Sequence, residues 1–236
     1  MIRNASYSNI GGRNCNEDSV RIALSDRGVL AVVADGLGGH GGGDIASKKT
    51  VETLVSGWSG DANLDELCKD ISLANDEIKK LQTEAIKMKS TVATISYTRG
   101  KCVYAYVGDA RIYRFVNGEL VFQTLDHSAS QLAVYLGQIK PSEIRFHEDR
   151  SRILRALGQD DELKIDTGSF DLKKGDQNAF LLCSDGFWEY VVEDEMIQDL
   201  KRSQTPGEWI RRMRSKLLER VPSDNDNNTA AAVWIY

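Results

Sequence analysis

The chain has 236 residues, of which 41% are apolar and 28% charged, with three prolines and a formal net charge of −5. That is globular composition with enough apolar material for a sizeable core. The acidic balance argues against a nucleic-acid partner, which asks for a basic face, and no apolar run approaches the roughly 18 residues of a membrane span.

Residues 19–25 and 28–34 read as strands, apolar runs bounded by turn residues. Two helices follow. Residues 43–58 put Ser47, Val51, Leu54, Val55 and Trp58 on one face. Residues 64–87 carry Leu64, Leu67, Ile71, Ala74, Ile78, Leu81 and Ala85 at spacings of three and four, a stripe suited to packing on a sheet. Strands are expected again at 91–98, 102–108, 110–116 and 119–123. Arg99-Gly100-Lys101 and the Asn117-Gly118 pair serve as hairpin turns, so 91–123 reads as one antiparallel meander. A small helical insert at 128–147 precedes strands at 163–171 and 178–184, helices at 194–203 and 206–220, and a last strand at 229–235. Segregated runs of strands and helices of this kind indicate an α+β fold with helices layered on antiparallel sheets. Met1 to Tyr7 lack a basic stretch followed by an apolar one, so no secretory signal is expected. Cys15, Cys68, Cys102 and Cys183 form no Cys-x-x-Cys pair, and reduced thiols in a cytoplasmic protein are the expectation.

Two aspartates stand in matching settings. Val29–Ala34 leads into Asp35-Gly36, and Ala179–Ser184 leads into Asp185-Gly186. Each pattern delivers a carboxylate from the end of a buried strand into a glycine turn. Further acids lie in similar places: Glu17 and Asp18 after Arg13 in a glycine-rich loop, Asp109 in Gly108-Asp109-Ala110-Arg111, and Asp226 in an Asn/Asp-rich loop before the last strand. Taken singly, each is a solvated turn, and Asp109 with Arg111 reads as a local ion pair. Together, carboxylates without a Cys/His cluster suit hard cations such as Mn2+ or Mg2+, and without a metal their mutual repulsion would be costly. Gly36, Gly38 and Gly41 also satisfy a G-x-G-x-x-G dinucleotide fingerprint. Against that reading, Asp35 abuts the first glycine, where a pyrophosphate needs bare N–H groups.

The chain resembles the protein phosphatase 2C family, the metal-dependent protein Ser/Thr phosphatases, and in particular its compact bacterial members. The motifs that carry the resemblance run nearly end to end: Arg13-x-x-Asn16-Glu17-Asp18, Asp35-Gly36-x-Gly38-Gly39-His40, Gly108-Asp109-x-Arg111, Asp126-His127-Ser128, Arg155-Ala156-Leu157-Gly158, Ser184-Asp185-Gly186 and Asp226-Asn227-x-Thr229. The resemblance implies a four-layer α-β-β-α sandwich forming a single catalytic domain over residues 1–236, with a flap subdomain at 128–152. It implies two Mn2+ or Mg2+ ions. Asp35 would bridge them, Asp185 and Asp226 would complete one, and Glu17 and the Gly36 carbonyl would serve the other. Asp109 with Asp185 matches a third, weaker site, and Arg13 would bind the substrate phosphate. Asp18, His40 and Asn227 are supporting candidates. The implied reaction is hydrolysis of phosphoserine and phosphothreonine monoesters by a metal-bridging hydroxide, without a phospho-enzyme. The implied partners are phosphoproteins made by a Ser/Thr kinase, met by a monomeric enzyme. Three departures stand out. Leu37 replaces the His that animal-type members place after Asp-Gly, Lys89-Ser90-Thr91 replaces Gly-Thr-Thr, and Ala110 replaces the Ser of Gly-Asp-Ser-Arg. A catalytically dead scaffold is the rival from another class; it would be marked by loss of an acid, and Glu17, Asp35, Asp109, Asp185 and Asp226 are all present.

Overall fold

The computed structural model describes residues 1–38, 41–159 and 162–236. In chain order the elements are β1 (Ile2–Asn9), β2 (Asp18–Leu24), β3 (Gly28–Leu37), α1 (Gly43–Gly57), α2 (Leu64–Leu81), β4 (Lys89–Ser90), β5 (Val92–Thr98) and β6 (Lys101–Val107). They continue with β7 (Arg111–Val116), β8 (Glu119–Gln123), α3 (Ala129–Tyr135), a 3-10 turn (Pro141–Phe146), β9 (Asp166–Asp171), β10 (Asn178–Cys183), α4 (Asp185–Trp188), α5 (Glu193–Arg202), α6 (Pro206–Arg220) and β11 (Asn228–Ile235).

Strand alternation builds the layers. One antiparallel sheet has the order β1-β11-β10-β7-β8; the other runs β2-β3-β5-β6-β9, with β4 beside the end of β3. On β3, Leu30, Val32 and Ala34 pack outward against Val51 and Leu54 of α1 and Ile71 and Ile78 of α2. Val29, Ala31 and Val33 point the other way, onto Phe180, Leu182, Ala231 and Val233 of the facing sheet. That sheet turns Leu181 and Trp234 outward onto Trp209, Met213 and Leu217 of α6. The expected α-β-β-α sandwich is therefore present, held by three apolar layers. Because β3, β10 and β11 are buried on both faces, they read as continuous apolar runs.

Three expectations change. β1 was absent from the sequence reading because Arg3, Asn4, Ser6 and Ser8 give it a half-polar edge pattern; its place comes from the ladder with β11, from Ile2 opposite Ile235 to Asn9 opposite Asn228. The second helix stops at Leu81 rather than running to 87. Gln82 is extended, and its side-chain amide donates to the carbonyls of Met88 and Gly158, each at 2.7 Å. The meander at 91–123 is instead two hairpins in different sheets, β5–β6 and β7–β8. The chain changes sheets at Gly108, whose φ of 105° and closeness to the Thr91 side chain exclude other residues. The two predicted hairpin turns hold, with Arg99-Gly100 and Asn117-Gly118 all at positive φ. The insert contains α3 and the 3-10 turn and returns through two isolated bridges, Ser128 with Ile153 and Ser90 with Leu157.

Candidate metal centre

Asp35 sits where β3 runs out of core. Its inward direction follows from the parity of Val29, Ala31 and Val33. Asp18 is its register partner on β2, so both carboxylates lie at the same end of the space between the sheets. The Asp35 backbone is gripped from the other side: its N–H donates to Thr91 Oγ1 at 3.0 Å, and its carbonyl accepts the Thr91 N–H at 2.8 Å. The Thr91 carbonyl accepts the Ser90 hydroxyl at 2.8 Å. From the facing sheet, Ser184 Oγ donates to Asp18 Oδ2 at 2.7 Å.

Asp185 and Asp226 come together because the α4 turn and the loop before β11 touch. A side chain on Gly186 would fall 2.1 Å from the Asn227 carbonyl oxygen, so only glycine permits the approach. Asn227 ties this loop to the first one: its Oδ1 accepts the Glu17 N–H, and its Nδ2 donates to the carbonyls of Ile10 and Cys15. Glu17 and the Gly36 carbonyl meet at the start of α1, where Glu17 Oε1 and Gly36 O lie 2.7 and 2.8 Å from the place a Gly43 side chain would take. Arg13 leans over this edge, its Nη2 2.9 Å from Asp226 Oδ2, with both side chains about half exposed.

Asp109 is reached by the sheet change at Gly108, and its expected pairing with Arg111 does not form. Arg111 instead makes a two-pronged bond to Asp126, Nε to Oδ1 at 2.8 Å and Nη2 to Oδ2 at 2.7 Å, with both groups buried. Its guanidinium lies 3.5 Å from the centre of the Trp188 ring, and Trp188 Nε1 donates to the Asp109 carbonyl at 2.9 Å. Glu193 closes the group by pairing with Arg145 of the 3-10 turn. Nearby, Arg150 pairs with Glu189 at 2.9 Å. Sequence reading assigned no role to Thr91, Asp126, Ser184, Trp188, Glu189 or Glu193. Asp126 and Ser184 had a signal, standing inside motifs, while Glu193 reads as an ordinary first-turn acid of a helix.

The electrostatics are those of a cation site. Burial, joined by the charges of Asp18, Asp185, Asp109 and Asp226, raises the Asp35 carboxyl well above its usual range. Burial lifts Asp18 to about 7 against the pull of Ser184 and Thr229, and lifts Asp185 to about 6 with help from Asp226. Asp109 is raised by burial and by Asp185. Both Asp109 carboxylate oxygens and Asp18 Oδ1 are buried without a hydrogen-bond donor, an arrangement that asks for a cation. Among the described residues no three His, Cys, Asp or Glu side chains close into a finished cage. Carbonyl oxygens and water would complete any ligand set, as hard divalent ions accept. An all-oxygen donor set of this kind fits Mn2+ or Mg2+. His40 lies outside the described residues. The dinucleotide alternative fails on topology, since β3 has antiparallel neighbours on both sides.

Residues 6–224 match the family described as Protein phosphatase 2C. The chain belongs to the protein phosphatase 2C family. It is therefore an enzyme, a phosphoprotein phosphatase of the Ser/Thr type. Protein phosphatase PhpP of Streptococcus pneumoniae is 32% identical over 205 residues, covering 82% of this chain and 81% of that protein. Serine/threonine phosphatase stp of Listeria monocytogenes is 32% identical over 207 residues, covering 83% and 81%. Among solved structures, the Mycobacterium tuberculosis serine/threonine phosphatase PstP/Ppp shares 29% identity at a TM-score of 0.84, covering 98% of this chain and 97% of that one. The catalytic domain of PstP in complex with two manganese ions shares 28% identity at a TM-score of 0.83, covering 100% and 99%. These 2C-type phosphatases share the two-sheet, helix-flanked architecture found here.

Proposed function

We propose that this phosphatase hydrolyses phosphoserine and phosphothreonine monoesters at the acid rim, using divalent cations and passing through no phospho-enzyme. The observation that carries the reading is the convergence of Asp18, Asp35, Asp109, Asp185 and Asp226, several with buried and unpaired oxygens, at one end of the sandwich. Asp35 would lie between two ions, with Asp185 and Asp226 on one and Glu17 and the Gly36 carbonyl on the other. Asp109 with Asp185 would hold a third more weakly. The manganese seen in the PstP catalytic domain supports this choice of ion. Bound there, the cations would acidify a water that attacks phosphorus directly and would neutralise the phosphoryl oxygens.

The chain's own residues do the positioning. Arg13 is held by Asp226, and a cation that took up the Asp226 carboxylate would free the Arg13 fork for the phosphate. Thr91 and Ser184 hold Asp35 and Asp18 in place. Two of the thiols are poor candidates for a covalent route: burial pushes the Cys102 and Cys183 thiols far up. Residues 128–152 act as a flap on one catalytic domain, tied down through Arg145–Glu193 and Arg150–Glu189. The natural substrates are phosphoproteins made by a Ser/Thr kinase, met by a monomeric enzyme.

A single turnover in 18O-labelled water tests the chemistry. One labelled oxygen in the released phosphate, and no acid-stable phosphoprotein, is expected. Hydrolysis of a phosphopeptide that survives complete removal of divalent metal, or trapping of a phosphorylated residue, overturns the reading.

A further inference from the structure

The inner face that carries Asp35 does not end there. Leu37 is the next residue on that face, about 7 Å along the strand, and its register partner is Lys89 on β4. Met88 turns the opposite way, into the core beneath α1 and α2, so Lys87 and Lys89 stand on the same side of their segment. Both line a groove of about 450 Å3, opposite Leu37 and Gly38 and against Ile153 and Ala156 of the flap's return. Among the described residues the lysines in ion pairs are Lys80, Lys201 and Lys216, and neither groove lysine has an anionic partner. Together they place two cationic side chains along one wall of the groove.

We propose that this groove reads acidic side chains flanking the phosphorylated residue. The preferred substrates are then phosphoserine or phosphothreonine segments with Asp or Glu within a few residues of the phosphate. The proposal rests on the phosphatase reading above and adds to it a substrate class. Leu37 and the lysines lie beyond the acid rim, so a peptide whose phosphate sits over Asp35 runs its flank along Lys87 and Lys89. The lysines then offset charge that the acidic rim would otherwise repel. A second phosphoryl group on the substrate has similar anionic chemistry and is separated by the test.

The test uses the Mn2+-loaded enzyme and a matched set of phosphoserine peptides. One has neutral flanks, others carry single Asp or Glu substitutions on either side, one carries a second phosphoserine, and one carries Lys flanks. The readout is the ratio of kcat/KM for each peptide to that for the neutral one, taken within each variant so that a general loss of activity cancels. The wild-type ratio for the best acidic peptide is expected at about tenfold at low salt, shrinking as salt is added. In K87Q/K89Q the ratio falls to about one, and in K87E/K89E it inverts toward the Lys-flanked peptide. A wild-type ratio of one, or an acidic preference that persists in K87Q/K89Q, overturns the proposal. A gain confined to the doubly phosphorylated peptide also overturns it, showing a groove that reads phosphate. Failure of the underlying phosphatase reading looks different: no metal-dependent hydrolysis of any peptide or of p-nitrophenyl phosphate.

Discussion

Asp18 and Asp35 face each other across β2 and β3, and the Ser184 hydroxyl reaches Asp18 from the facing sheet. The pair is therefore a junction between the two sheets as well as part of the acid rim. Removing one charge should have opposite effects on activity and on metal-free stability. Asp35→Asn is expected to lower kcat on a phosphopeptide by about 10²-fold or more. The same change relieves repulsion among the buried acids and should raise the unfolding midpoint in chelator by about 2–4 °C for each kcal/mol relieved. Wild-type kcat in this variant would remove Asp35 from the proposed bridge.

Gly43 offers a steric probe of the second ion. A methyl group there would fall within 3 Å of both Glu17 Oε1 and the Gly36 carbonyl oxygen. Alanine also improves helix propensity at the start of α1, so folding is expected to be largely retained while the two oxygens are driven apart. Calorimetric titration of Gly43→Ala with Mn2+ should show one class of sites weakened about tenfold, within the range seen when groups supporting a metal site are disturbed. Unchanged binding would exclude Glu17 and Gly36 as donors.

The buried Arg111–Asp126 pair should behave asymmetrically. Asp126→Ala leaves a buried guanidinium under Trp188 without its carboxylate and is expected to cost about 3–5 kcal/mol in urea unfolding. Replacing both partners with Met and Leu should cost much less, because the uncompensated charge goes with its partner. Equal costs for the single and double changes would show that the network contributes through shape alone.

Glu193 supplies a pH signature away from the acid rim. Burial pushes its carboxyl up, but the charge and hydrogen bond of Arg145, with Arg111 behind, outweigh burial and leave it below the usual carboxylate value. A depressed folded pKa adds stability that is complete above the unfolded value near 4.5 and is lost as pH falls through the folded value. Wild type should therefore exceed Glu193→Gln by about 2 kcal/mol at pH 7, with the gap closing below about pH 4. A gap that stays constant from pH 7 to pH 3 would contradict the ion-pair assignment.

How far the amino-acid sequence can be read depends on what each residue answers to. β3, β10 and β11 answer to burial on both faces, and their Val, Leu and Ala runs announce them. The hairpins at Asn117-Gly118 and Arg99-Gly100 answer to local backbone conformation, which is equally visible. β1 answers to a partner more than 200 residues away, from Ile2 opposite Ile235 onward, and its polar residues give no sign of it. The change of sheet at Gly108 is likewise a tertiary decision, since both hairpins look alike in sequence. At the rim, Asp35 and Asp185 were visible as strand-end Asp-Gly turns, and the other acids as members of short loop motifs. Their supports were not: the Thr91 hydroxyl accepts the Asp35 N–H, and Arg111 passes over neighbouring Asp109 for Asp126. Such choices depend on which side chains arrive from the other sheet.

The bridge between Ser90 and Leu157 has one further consequence. It fastens the chain returning from residues 128–152 to β4, and β4 is fastened to the end of β3 beyond Asp35. Everything between the Ser128–Ile153 bridge and its far turn hangs outside that seam. Apart from Ile144, which enters the core, and the Arg145 and Arg150 pairs, changes in the insert leave the spacing of the acids untouched. New substrates are open to the scaffold by redecorating an appendage, with no rebuilding of the centre it overhangs.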